Sequence, residues 1–215
     1  MVYPIGKRLV PPIYQLWLGE VKGIENIPKD KPFIIAANHS SYYDVLLPST
    51  LVVPLLNKKV HAFSNSYYWK NFITKWWLDL GESIPVFVEK EKNSKIKNET
   101  AFKKAMEYLK KGDIILIFPE GSRSNDGKLK KAYNGAARLA LRAKVPVLPF
   151  GIIGASKVMP KGKMFPRFTK CKIKIGKLVY FDRYHHKKIT GKMLDEATKM
   201  IMKKIAELIN QEYNY

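Results

Sequence analysis

Phe33-Ile34-Ile35-Ala36-Ala37-Asn38-His39-Ser40-Ser41-Tyr42-Tyr43-Asp44 sets an unbroken apolar run ahead of a histidine, with a carboxylate five residues beyond it. A short, continuously apolar run of this kind fits a strand covered on both faces, as in the parallel sheets of α/β proteins. A strand that ends in histidine presents a base at the sheet edge, and the following carboxylate presents its orienting partner. Phe118-Pro119-Glu120-Gly121-Ser122-Arg123-Ser124 repeats the layout of an apolar strand followed by a polar turn.

Working outward, further strands are predicted at Glu20–Ile24, Val60–Phe63, Ser83–Val88, Ile114–Phe118, Val147–Ile153 and Cys171–Ile175. Helical spacing lies between them. Phe102, Ala105, Met106 and Leu109 recur at i, i+3, i+4 and i+7, as do Ala136, Leu139, Ala140 and Ala143. The tail from Gly191 places Met193, Ala197, Met200, Ile201, Ile205 and Leu208 on one face. Alternation of this kind predicts an α/β fold: a single domain with a mixed sheet flanked by helices. A short N-terminal interfacial or packing helix is predicted over Pro12–Leu18.

The length of 215 residues suits one such domain. Basic residues outnumber acidic ones 39 to 18, a formal net charge of +21, which predicts an anionic partner: a membrane surface, nucleic acid or an acidic carrier. Cys171 is the single cysteine, which excludes an intrachain disulfide. The four histidines, His39, His61, His185 and His186, form no Cys/His cluster with zinc spacing. No apolar run reaches the roughly 18 residues of a membrane span, so the chain is expected to lie on a membrane rather than cross it. From Lys157 to Lys177 there are eight basic residues and no acidic one, with Met159, Met164, Phe165 and Phe168 interleaved. That segment reads either as a solvated hairpin or as an interfacial patch, where each cation near anionic lipid is worth roughly 1 kcal/mol. No pattern typical of a nucleic-acid-binding module accompanies it.

Acyl transfer from a thioester to a hydroxyl needs a base for the alcohol proton, and imidazole suits that task near neutral pH. In this reading His39 is the base and Asp44 fixes its tautomer, with the substrate hydroxyl in the place of an enzyme nucleophile. Ser41-x-x-Asp44 is also a capping-box-like sequence, which would stabilise a helix start without any catalysis. In the second constellation Pro119 and Gly121 force a tight exit from the strand. Glu120, Ser122 and Arg123 are expected to project from that turn, with Arg123 suited to a phosphate through its planar fork.

These residues together resemble the glycerolipid acyltransferases, the 1-acylglycerol-3-phosphate acyltransferase family. Asn38 to Asp44 is similar to that family's histidine-four residues-aspartate block, and Phe118 to Ser124 to its glutamate-glycine-serine-arginine block. Val145-Pro146-Val147-Leu148-Pro149-Phe150 is similar to its proline-bounded strand. The resemblance implies direct transfer from acyl-CoA or acyl-carrier protein to a lysophospholipid on an anionic membrane surface, at the cytoplasmic face, with no cofactor, metal or nucleic acid. It implies His39 and Asp44 as the catalytic pair and Glu120, Gly121, Ser122 and Arg123 as acceptor-binding residues. The chain is expected to divide into an N-terminal membrane-interface or packing segment, 1–19, and an acyltransferase domain, 20–215. Where the family's second block carries a phosphate-binding arginine, this chain runs Gly81-Glu82-Ser83-Ile84-Pro85-Val86-Phe87-Val88-Glu89-Lys90, leaving Lys90 as the candidate cation. A different hydroxylated lipid acceptor, hydrolysis of the thioester by the same pair, and a non-catalytic anion-binding module are the alternatives.

Overall fold

A computed structural model describes residues 6–87, 91–160, 162–163, 165–184 and 186–215. Seven strands form one sheet: β1 (Leu18–Lys22), β2 (Ile34–Ala37), β3 (Val60–Asn65), β4 (Ile84–Val86), β5 (Ile114–Ile117), β6 (Val147–Ile153) and β7 (Cys171–Ile175). Their order is β1-β7-β6-β2-β5-β3-β4. The pair β6–β7 is antiparallel and the other neighbours are parallel, so the sheet is mixed, as the strand pattern predicts. The helices are α1 (Gly6–Gln15), α2 (Leu47–Leu56), α3 (Phe72–Leu80), α4 (Ser94–Lys110), α5 (Gly135–Ala143), α6 (Ala155–Val158) and α7 (Gly191–Ile209).

The alternation of β2 explains why all four of its residues are buried. Ile34 and Ala36 enter the core beneath α4, α5 and α7, where they meet Ala105, Leu139, Ile201 and Ile205. Ile35 and Ala37 enter the opposite core with Leu47, Val52 and Val53 of α2 and Tyr14 of α1. The helix α7 comes so near β6 that a Cβ on Gly151 would lie 2.6 Å from that of Leu208. Both faces of the central strands β2, β5 and β6 are thereby sealed, and the loops after them meet at one edge of the sheet.

Several boundaries differ from the sequence reading. α1 occupies Gly6–Gln15 rather than Pro12–Leu18, running through Pro11 and Pro12. Proline is ordinarily confined to the first turn of a helix, and here tertiary packing holds the turns that precede Pro11 and Pro12. Pro11 is buried and Gln15 donates to the Thr50 carbonyl at 3.2 Å. Leu18 is then free to open β1 beside Cys171, so the boundary between residues 19 and 20 falls inside a strand. The continuous apolar run of α2 masks its helical period, and α3 adds a helix that the spacings above do not include. β4 ends at Val86, and Val88 lies outside the described residues.

Candidate active site

Beyond β2 the chain turns sharply, and three side chains hold that turn. Asn38 inserts sideways into β6, with Nδ2 donating to the Ile152 carbonyl at 2.9 Å and Oδ1 accepting from the Ile152 N–H at 2.7 Å. It therefore continues the sheet pairing where the backbone departs. Ser41 then caps a 3-10 turn over Tyr42–Val45, its Oγ accepting from the Tyr43 N–H at 3.1 Å and donating to the Met159 carbonyl at 2.7 Å. Asp44 completes the capping box by accepting from the Ser40 and Ser41 N–H groups at 2.5 and 2.7 Å. The α-helix itself begins later, at Leu47, with Pro48 in its first turn.

The same Asp44 oxygen, Oδ2, lies 3.2 Å from His39 Nδ1. The cap and the histidine–aspartate pairing are thus one structure. An ionised carboxylate only accepts, so the shared contact places the imidazole proton on Nδ1 and leaves Nε2 as the basic nitrogen. The ring is further held by Phe118, stacked at 4.2 Å between centroids. Asp44 is fully buried, and its Oδ1 has no hydrogen-bond partner among the described residues. Its charge is felt nearby: burial first, and Asp44 second, push the Tyr14 hydroxyl and the Cys171 thiol up to about 12. Cys171 is therefore a packing residue and not a thiolate nucleophile at neutral pH.

The turn after β5 corrects one expectation. Glu120 does not project; it is 2% exposed. One oxygen accepts from the His39 N–H at 2.8 Å and the other from the Lys130 N–H at 2.9 Å. Burial pushes its carboxyl above the ordinary glutamate range against the pull of those two donors. Glu120 therefore braces the backbone under His39, and the Ser124 N–H closes the brace on the His39 carbonyl at 2.8 Å. Gly121 sits at φ +66°, and a Cβ there would meet the Tyr133 ring at 2.9 Å, so only glycine fits this turn. Ser122 is exposed and accepts from the Lys130 ammonium.

Arg123 does reach toward the site. Its guanidinium lies 3.5 Å from the centroid of the Tyr42 ring, and the Tyr42 hydroxyl is 3.5 Å from that of Tyr68. The buried Nη1 of Arg123 has no hydrogen-bond partner among the described residues. A buried, unsatisfied cationic donor is costly, and an incoming phosphate oxygen would relieve that cost. Lys90 lies outside the described residues. Asn38, Tyr42 and Phe118 lie within the motifs, and their roles emerge only from the fold. Their aromatic and amide types were visible, but the partners across the sheet edge were not.

Residues 19–153 match the Acyltransferase family. The chain is 30% identical over 188 residues to a 1-acyl-sn-glycerol-3-phosphate acyltransferase of Bacillus subtilis, covering 87% of this chain and 86% of that protein. It is also 30% identical over 151 residues to a chloroplastic enzyme of the same name from Brassica napus, where it spans 41% of the relative's length. Its fold is similar to the crystal structure of the 1-acyl-sn-glycerophosphate acyltransferase from Thermotoga maritima, with a TM-score of 0.64 at 24% identity. That match covers 94% of this chain and 81% of the other. With its histidine–aspartate pair and glutamate–glycine–serine–arginine turn drawn to one sheet edge, the chain belongs to the acyltransferase family.

Proposed function

We propose that this protein transfers a fatty acyl group from an acyl thioester, acyl-CoA or acyl-carrier protein, to the free hydroxyl of 1-acylglycerol-3-phosphate, giving phosphatidic acid. The observation that carries this reading is the single turn in which Asp44 both caps the backbone and faces His39 Nδ1, with an unsatisfied Arg123 beside it. The names of the relatives from Bacillus and Brassica support the choice of acceptor.

In this mechanism His39 Nε2 takes the hydroxyl proton as that oxygen attacks the thioester carbonyl. Asp44 stabilises the imidazolium that results, the same division of roles as in a serine-protease triad. The tetrahedral intermediate collapses with cleavage of the C–S bond. The departing thiolate takes the proton from imidazolium, and His39 returns neutral. Arg123 binds the acceptor phosphate and so orients its hydroxyl, while Glu120 and Gly121 shape the turn and Ser122 lines it.

The site would work on lipid at the cytoplasmic face of a membrane. Among the described residues no helix is long and apolar enough to cross one, which supports peripheral attachment, with α1 as the N-terminal packing segment. The test is release of free CoA from acyl-CoA on adding lysophosphatidate. His39→Ala should slow it on the order of 10²–10⁴-fold while the melting curve is retained. Release without an acceptor would favour the hydrolase reading, and full turnover by His39→Ala would overturn the mechanism.

A further inference from the structure

The helix α3 is built inside out. Phe72, Ile73, Trp76, Trp77 and Leu80 recur at i, i+1, i+4, i+5 and i+8, a single apolar stripe. On a helix covering a sheet that stripe faces inward. Here Phe72 is 82% exposed, Trp76 55% and Trp77 53%, and no residue of the helix is buried. The polar residues make the attachments instead. Asn71 caps the start by accepting from the Ile73 and Thr74 N–H groups at 3.0 and 3.2 Å. Thr74 donates to the Tyr68 carbonyl, and Asp79 pairs with Lys75 and accepts from Trp69 Nε1 at 2.9 Å. The helix is thus tied to the 3-10 turn Ser66–Lys70 through its polar side, and its apolar stripe points to solvent.

We infer that α3, with the turn Ser66–Lys70 before it, is a membrane-insertion element that enters the headgroup layer of an anionic bilayer. Aromatic side chains with a polar tip favour that depth, and Trp76, Trp77 and Tyr67 supply them. Exposed Lys70 and Lys75 flank the stripe, and the whole chain's +21 charge is complementary to anionic lipid. The position also fits delivery of substrate. Tyr68 of the same turn reaches Tyr42, which stacks under Arg123, so insertion sets the phosphate-seeking guanidinium one ring pair away from the bilayer. This last link rests on the proposed acceptor; the insertion itself does not.

The experiment is co-sedimentation of the full chain with vesicles of phosphatidylglycerol and phosphatidylcholine, alongside Phe72→Ser/Ile73→Ser and Trp76→Ser/Trp77→Ser. Each pair should lower partitioning at least about tenfold, since each removes two large apolar groups from the buried stripe. Wild-type tryptophan emission should be quenched by lipids brominated on their acyl chains, and that quenching should fall in Trp76→Ser/Trp77→Ser. Turnover of detergent-dispersed lysophosphatidate should be unchanged in Phe72→Ser/Ile73→Ser. Undiminished vesicle binding by both variants would overturn the inference. So would a wild-type dimer that dissociates in the variants, which would make a second copy the occupant of the stripe. Vesicle binding through α3 in a chain without acyl transfer would uphold the insertion and remove the proposed acceptor.

Discussion

At the scale of single residues, the site combines groups left unsatisfied among the described residues, Asp44 Oδ1 and Arg123 Nη1, with a brace whose oxygens are both occupied. Glu120 is that brace: its two oxygens receive two backbone N–H groups and it is sealed from water. Glu120→Gln keeps the shape but turns an NH2 toward one of those donors. Loss of a buried hydrogen bond, with a donor left facing a donor, should cost about 1–3 kcal/mol in a denaturant melt. Turnover should fall as well, because the His39 backbone loses its brace. A stable but inactive Glu120→Gln would instead place this carboxyl on the substrate. Since burial holds its carboxyl above the ordinary range, Glu120 favours the folded state most when protonated, and that contribution fades as pH rises through its folded value. The residue types of this site were legible in the sequence. The inward turn of Glu120 was not, because only the loop reaching Lys130 shows which donors surround it.

At the scale of elements, the opposite edge of the sheet has its own polar cluster. His61, near the start of β3, is fully buried and stacks on Tyr108 of α4 at 3.6 Å between centroids. Its Nδ1 lies 3.2 Å from the Glu82 carbonyl and its Nε2 3.4 Å from Asp113 Oδ2. Burial pushes the imidazolium below its ordinary 6.5, against the opposing pull of Asp113 and Glu82. The unfolded chain then binds a proton that the folded one resists, so this contribution to stability is present above 6.5 and lost as pH falls through the folded value. His61→Phe preserves the stack without the titration. Its melting temperature should drop less between neutral and mildly acid pH than that of the wild type, and equal drops would assign the acid sensitivity elsewhere. At this scale the seven strands were readable because short apolar runs between turn signals are distinctive. α2 hid within an apolar run, and residue spacing cannot show that the apolar stripe of α3 faces solvent rather than the core.

At the scale of the whole molecule, the excess of positive charge has two candidate uses, and the fold separates them. α3 lies between β3 and β4, while the basic segment lies between β6 and the end of β7, across the sheet order. Within that segment Lys163, Arg167 and Lys170 are exposed, as are Phe165 and Phe168, while Lys161 and Met164 lie outside the described residues. Arg167 and Phe168, together with Lys157, also line a cavity of about 650 Å³ that reaches Ser40, the neighbour of His39. If the segment meets lipid, its contribution is mainly Coulombic, whereas that of α3 is mainly apolar. The two differ in their response to salt, because screening acts on exposed charges and leaves apolar burial largely intact. Charge reversal as Lys163→Glu/Arg167→Glu/Lys170→Glu should therefore weaken binding to anionic vesicles strongly at low ionic strength and little at high ionic strength. At roughly 1 kcal/mol per cation, removal of three is worth two orders of magnitude or more in low salt. Binding to vesicles of phosphatidylcholine alone should be unaffected by the reversal and still depend on α3. Vesicle binding unchanged by the reversal at every ionic strength would return the segment to a solvated hairpin and leave α3 as the lipid contact.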